Sequence, residues 1–78
     1  MVNIQLESTK VALMKRAILE FIVKYRAKNK VSPSQQEIAA EFDYPLGSLH
    51  THYIKPLVSE GWVKSTPKRP RSLVPLRS

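Results

Sequence analysis

Four basic residues stand close together near the end of this sequence, namely Lys64, Lys68, Arg69 and Arg71, with no acid among residues 64–71. Lysine and arginine side chains bind phosphate oxygens and displace the counterions that condense on nucleic acids. The whole chain of 78 residues has 13 Lys and Arg against 6 Asp and Glu, a formal net charge of +7. Such an excess favours a polyanionic partner, which is nucleic acid or less often an anionic membrane surface, although a solvated basic surface gives the same composition.

Patterns for catalysis and metal binding are missing from the sequence. It has no cysteine and two glycines, and it contains no G-x-S-x-G elbow, no phosphate-cradling glycine loop and no paired carboxylates on one face. His50 and His52 are two residues apart, so on a helix their side chains diverge and cannot share a metal ion well. We therefore expect a protein that is not an enzyme and that uses no cofactor, metal ion or small-molecule ligand.

The first element expected to position the basic residues is a helix over about 9–28, because apolar residues recur there at steps of three and four. Ser8 or Thr9 can cap its start. Residues 1–8 carry no strong signal, so we expect a disordered lead or an extra strand, with 9–76 as one domain. The apolar stripe comprises Val11, Met14, Ala17, Ile18, Phe21, Ile22 and Tyr25.

Two further helices follow, separated by a short turn. One is predicted over about 34–42, because Ser34 followed three residues later by Glu37 has the form of a capping box. The other is predicted over about 47–60. Inside it, Pro56 would remove a hydrogen bond at a cost of about 3 kcal/mol, so we expect a kinked or interrupted helix. Its inner face is expected to hold Leu46, His50, Tyr53 and Leu57, flanked by Leu49 and Ile54.

A hairpin is predicted to complete the domain. Gly61 has the position of a left-handed residue that ends a helix. Strands are then expected over 62–65 and 72–74, joined by a basic turn, with Trp62 as an apolar anchor beneath them. The fold class is therefore mainly α with a small β-hairpin, in the order of a winged helix-turn-helix: three helices plus a two-stranded wing whose basic part is 64–71.

Several segments of about 13–76 resemble the DNA-binding domain of the LexA family of repressors. The resemblance is carried by AILEFIVKY, VSPSQQEIAAEF, the run from SLHTHYIKPL through SEGWV, and TPKRPRSLVPL. The sequence departs from the family at Pro56, in the turn PLGS, which lacks a serine-rich cluster, and in a first helix that begins about a turn early. The family's self-cleaving C-terminal domain does not follow the wing, so we do not expect self-cleavage.

The resemblance implies two sets of DNA contacts. On the third helix, it implies that Leu49 packs on a thymine methyl and that its polar neighbours face bases or phosphates. At the start of the second helix and in the wing it implies phosphate contacts. The base-facing candidates are Ser48, Leu49, Thr51, His52 and Lys55. The phosphate-facing candidates are Ser34, Gln35, Lys64, Lys68, Arg69 and Arg71.

The sequence thus predicts a transcription regulator from a bacterium, phage or related mobile element. A repressor is favoured over an activator. We expect double-stranded DNA as the partner, bound by a homodimer at paired half-sites. We do not expect a membrane partner. A chain without cysteine fits a reducing compartment, so we expect a cytoplasmic protein at the nucleoid. Two alternatives remain open: a winged helix that docks on another protein, whose basic tip is incidental, and a binder of nucleic acid without sequence preference.

Overall fold

A computed structural model of the chain describes residues 9–66 and 68–76. The predicted lead, 1–8, lies outside the described residues. The elements are α1 (Thr9–Asn29), α2 (Gln35–Phe42), α3 (Leu46–Leu49), a π-helical turn (His50–Ile54), α4 (Lys55–Ser59), β1 (Val63–Lys64) and β2 (Val74–Pro75). The chain is therefore mainly helical with a small antiparallel sheet of two strands. None of the described helices has the length and apolar character needed to cross a membrane.

The apolar stripe of α1 faces the core, as predicted. Ile18, Leu19 and Ile22 are buried on one side of this helix, and Val11, Met14 and Phe21 pack at the edge of the core. Residues three and four apart share a helix face, so this spacing aligns the three buried side chains. They belong to one buried cluster with side chains from α2, the composite helical stretch 46–59, β1 and the residue just before β2: Ile38, Ala39, Leu49, Tyr53, Ile54, Leu57, Val63 and Leu73.

The second helix begins with the predicted capping box. The Ser34 hydroxyl accepts a hydrogen bond from the Glu37 amide at 3.1 Å, and Glu37 Oε1 accepts one from the Ser34 amide at 2.9 Å. Both bonds satisfy amide groups that have no partner within the helix. The helix ends at Asp43, whose φ of 51° is left-handed and whose amide turns back to the carbonyls of Ala39 and Ala40.

The predicted disturbance around Pro56 takes the form of a π-helical turn. The Lys55 amide bonds the His50 carbonyl, five residues back, instead of the carbonyl four residues back. A proline ring in a regular α-helix clashes with the carbonyl four residues earlier, here that of His52, and the wider turn relieves this crowding. The helical path therefore continues through 46–59, which we call the composite helix. It ends before Gly61, which has the predicted left-handed conformation at φ 82°.

The inner face predicted for the third helix is partly wrong. Leu46 is 42% exposed and His50 is exposed, whereas Leu49 is completely buried. The prediction assumed a uniform α-helical period from 46 to 57. A π-helical turn holds more residues than an α-helical turn, so it rotates the residues before it relative to those after it. Tyr53 and Leu57 face the core as predicted.

The strands of the hairpin are shorter than predicted but pair in the predicted order. Val63 lies opposite Pro75 and Lys64 opposite Val74, and the Leu76 amide adds a bond to the Trp62 carbonyl at 2.8 Å. Val63 and Leu73 are buried and fix the base of the hairpin to the helices. Trp62 packs against the core at half burial, as predicted for an apolar anchor.

Candidate nucleic-acid interface

Three polar residues predicted to face outward on the third helix lie at the surface of the composite helix. Thr51, His52 and Lys55 are exposed, and Ser48 is half-buried at its start. The opposite side of the same helix is buried against α1 and α2, through Leu49, Tyr53 and Leu57 among others. The helix is thus packed into the core on one side and offers solvent a polar row of a hydroxyl, an imidazole and an ammonium group on the other.

Leu49 corrects one predicted contact. It was expected to face a base and pack on a thymine methyl, but its exposed fraction is 0% and it belongs to the main core cluster. The apolar pattern gave Leu49 a flanking position, and the rotation at the π-helical turn carries it inward instead. A side chain enclosed by the core cannot reach a base edge unless the helix is repacked.

His50 is a candidate that the sequence reasoning assigned to the inner face. It is exposed, and its Nδ1 atom lies 3.0 Å from Gln35 Oε1 at the start of α2. This pair joins the first residue of α2 to the first residue of the π-helical turn. Gln35 and His50 are 15 residues apart, so only the packed arrangement of the two helices brings them together.

Arg71 differs from the prediction, because its guanidinium group is bound within the protein. Its Nη1 and Nη2 atoms donate to the two carboxylate oxygens of Glu37 at 2.7 and 3.0 Å. Nη1 also lies 3.1 Å from the Ser32 carbonyl and 3.3 Å from the Tyr25 hydroxyl. A two-pronged bond of this kind fixes the geometry of both groups. Arg71 therefore ties the hairpin to α1 and α2, and since its side chain is still 45% exposed, any phosphate contact would share a guanidinium group that is already bound to Glu37.

Ser32 provides a second link between the helices and the hairpin. It is 2% exposed, its hydroxyl accepts a bond from Arg26 Nη1 at 2.6 Å, and it donates one to the Leu73 carbonyl at 2.6 Å. A buried hydroxyl in this role satisfies a carbonyl that would otherwise lose its water contacts. Together with Glu37, Ser32 holds the hairpin against the N-terminal end of α2.

The tip of the hairpin is a basic turn. Lys64, Lys68 and Arg69 are exposed, and no ion pair within 9–66 and 68–76 involves any of them. The turn is braced by Ser72, whose hydroxyl accepts from the Thr66 amide at 3.0 Å and lies 2.8 Å from the Arg69 carbonyl. Ser72 thus links Thr66 to Arg69, and three cations face solvent on this side of the hairpin: Lys64 in β1, and Lys68 and Arg69 after it.

Ser34 and Gln35, predicted as phosphate contacts, are partly occupied by bonds within the protein. The Ser34 hydroxyl accepts from Glu37, which leaves its own hydrogen able to donate to an oxygen atom outside. Gln35 Oε1 is bound to His50, so its amide nitrogen is the group that could donate outward. Both residues are half-buried.

The hydrogen bonds to Glu37 alter its acidity. The Arg71 side chain and the Ser34 amide stabilise the carboxylate and lower the pKa of Glu37 from 4.5 to about 2. The group is more acidic in the folded chain than in the unfolded chain, so its contribution to stability is complete above about pH 4.5 and disappears as the pH falls through 2.

We therefore expect the Glu37→Gln variant to be less stable than the wild type at neutral pH and to converge with it as the pH falls from about 4.5 to 2. Urea unfolding followed by Trp62 fluorescence at a series of pH values measures this difference. Glu41→Gln is the matched control, since Glu41 is an exposed acid of the same helix. A stability difference between wild type and Glu37→Gln that stays constant across this window would contradict the expectation.

A separate groove of about 720 Å³ runs beside α1 and uses none of the predicted contact residues. Its walls are mainly apolar with a charged border. They comprise Ala12, Lys15, Arg16, Leu19, Glu20, Val23, Lys24, Leu57, Glu60 and Trp62. At this charged border, Lys15 Nζ is 2.8 Å from a Glu60 carboxylate oxygen.

Within the described part of the chain, no group of three or more His, Asp or Glu side chains could hold a metal ion.

Comparison with known proteins assigns no family. No family model matches the sequence, and no curated protein matches it. The functional argument therefore depends on the residues and their arrangement.

Proposed function

We propose that this chain is a winged helix-turn-helix domain that binds double-stranded DNA in a sequence-specific manner and regulates transcription, most simply as a repressor. In sequence, it resembles the DNA-binding domain of the LexA family of repressors. The observation that carries the proposal is the exposed row of Thr51, His52 and Lys55, on a helix whose other side is buried. The basic turn of the hairpin supplies further positive charge.

Each part would have a distinct role on the duplex. The major groove is about 12 Å wide and admits one α-helix, so the composite helix can present Thr51 and His52 to base edges. Lys55, near the middle of the same helix, can reach a guanine or a phosphate. Lys68 and Arg69 can neutralise phosphates beside the groove, and this contributes affinity without sequence preference. Bound across a promoter, such a domain would repress transcription by excluding the polymerase.

A second candidate function is docking on another protein, and the groove beside α1 favours it. Val23, Leu57 and Trp62 give that groove the apolar and aromatic character typical of interface cores. The exposed row on the composite helix has the opposite character, since it is polar and basic. The two functions therefore use different surfaces, and variants of one surface should leave the other unaffected.

Selection of binding sites from random duplex DNA, together with a salt titration, tests the proposal. We expect a preferred site that binds about 10³-fold or more tightly than random DNA, with log K falling steeply as salt rises. A symmetric site would indicate binding as a dimer. Weak binding that is indifferent to sequence would exclude the regulator function and direct attention to the groove.

The double variant Thr51→Ala, His52→Ala tests which residues read the sequence. We expect it to lose most of the preference for the selected site while keeping its affinity for random DNA, because the basic turn is intact and the formal charge is unchanged. Fluorescence anisotropy with both duplexes measures the two affinities. Ser59→Ala is the control, since Ser59 is exposed at the end of the same helical path. An unchanged ratio of the two affinities in the double variant would show that these residues do not read bases.

A further inference from the structure

We infer that Gln35 and His50 form a base-reading pair, in which Gln35 fixes the proton on the imidazole so that His50 Nε2 accepts a hydrogen bond from the exocyclic amino group of adenine or cytosine. This inference rests on the proposed function, because it needs the composite helix to lie in a major groove. It adds a specificity-determining residue that the sequence pattern had assigned to the inner face.

The geometry of the pair is well supported on both sides. Gln35 is the first residue of α2, directly after the capping-box residue Ser34, so its backbone is held by the bonds between Ser34 and Glu37. The carbonyl of His50 accepts the bond from the Lys55 amide that defines the π-helical turn. Two anchored backbones thus bring Nδ1 and Oε1 to 3.0 Å, while the imidazole ring remains exposed.

The chemistry of the two groups determines which nitrogen carries the proton. The amide oxygen of Gln35 has only lone pairs, so His50 Nδ1 must be the donor in this bond. A neutral imidazole has one N–H group, and Nε2 is then a bare acceptor. The hydrogen bond from Nδ1 to Gln35 thus selects one of the two tautomers of the His50 imidazole. Hydrogen bonds to one ring nitrogen fix the tautomer of histidines in other proteins in the same way.

An acceptor at this place discriminates between bases. In the major groove, adenine N6 and cytosine N4 are donors, whereas guanine O6 and N7 and thymine O4 are acceptors. Nε2 therefore gains a hydrogen bond from adenine or cytosine and faces a second acceptor at guanine or thymine. His50 belongs to the same helical turn as Thr51 and His52, and all three side chains are exposed.

Site selection with three variants tests the inference. His50→Asn keeps a donor near the place of Nδ1 and removes the Nε2 acceptor. Gln35→Lys offers only donors, so Nδ1 becomes the acceptor and the proton moves to Nε2. Gln36→Lys is the matched control, because it makes the same substitution as Gln35→Lys at the next residue of α2, which is exposed.

We expect one position of the wild-type site to prefer adenine or cytosine by about threefold to tenfold, the range of a single net hydrogen bond. His50→Asn should remove the preference at that position, Gln35→Lys should shift it to guanine or thymine, and Gln36→Lys should leave it in place. Thermal unfolding should be nearly unchanged in His50→Asn, since this side chain is exposed.

The possible failures are distinguishable. If the wild type selects a site and His50→Asn selects the same site with the same preferences, the pair does not read a base and the proposed function still stands. If the preference at that position does not change in Gln35→Lys, the tautomer argument is overturned. If the wild type selects no site at all, the proposed function fails together with the inference.

Discussion

Replacing Leu49 by alanine is expected to lower the free energy of unfolding by about 2–5 kcal/mol. Leu49 is completely buried and packs in a cluster to which both of the longer helices and both arms of the hairpin contribute. Removing three carbon atoms from such a place forfeits their transfer free energy and leaves a cavity that the surroundings fill only in part. Total stabilities are about 5–15 kcal/mol, so the loss is a large fraction of the whole.

Urea unfolding followed by Trp62 fluorescence measures the effect, because this is the single tryptophan of the chain. Leu46→Ala is the control, a leucine of the same helical path that is 42% exposed, and it should change stability by no more than about 0.5 kcal/mol. Equal and small effects of the two substitutions would place Leu49 at the surface and restore its predicted contact with a base. The comparison therefore decides between a core role and a reading role for this residue.

Local signals in the sequence predicted much of this fold. The capping box of Ser34 and Glu37, the left-handed Gly61 and the disturbance before Pro56 each depend on residues within one or two turns of each other. Interactions at that range are set by steric and hydrogen-bonding rules that apply in any fold. The bounds of α1 and α2 agree with the predictions to within a residue or so for the same reason.

The outward direction of the third helix was predicted less well, because its period is not uniform. Counting at 100° per residue placed Leu46 and His50 inside, and the π-helical turn reverses that assignment. The sequence did signal a disturbance through Pro56. It gave no way to tell a kink from a widened turn, and only the widened turn rotates the residues that precede it.

The partners of Arg71 could not have been predicted from the sequence. Glu37 lies 34 residues earlier, and Tyr25 lies 46 residues earlier. The basic residues form one run in the sequence, but folding distinguishes them. Arg71 is ion-paired with Glu37, whereas Lys68 and Arg69 have no ion pair among the described residues. Under the proposed function, Arg71 positions the wing, while Lys68 and Arg69 are the residues with charge available for phosphates.

This division predicts the salt dependence of DNA binding. Each phosphate contact that is removed from a duplex complex lowers the slope of log K against log salt by about 0.9. The double variant Lys68→Ala, Arg69→Ala is therefore expected to reduce the magnitude of the slope by about 1.8, and to weaken binding to random and selected DNA alike. Anisotropy titrations at four or more salt concentrations, with both duplexes, measure the slope.

Lys10→Ala, Lys24→Ala is the matched control, since it removes two exposed cations from α1 and lowers the net charge equally. If only net charge matters, the two double variants will change the slope to the same extent, and the basic turn has no special place on the duplex. If the wing touches phosphates, the α1 variant will keep a slope near that of the wild type. A loss confined to the turn, with site preference retained, would assign affinity to the hairpin and sequence choice to the composite helix.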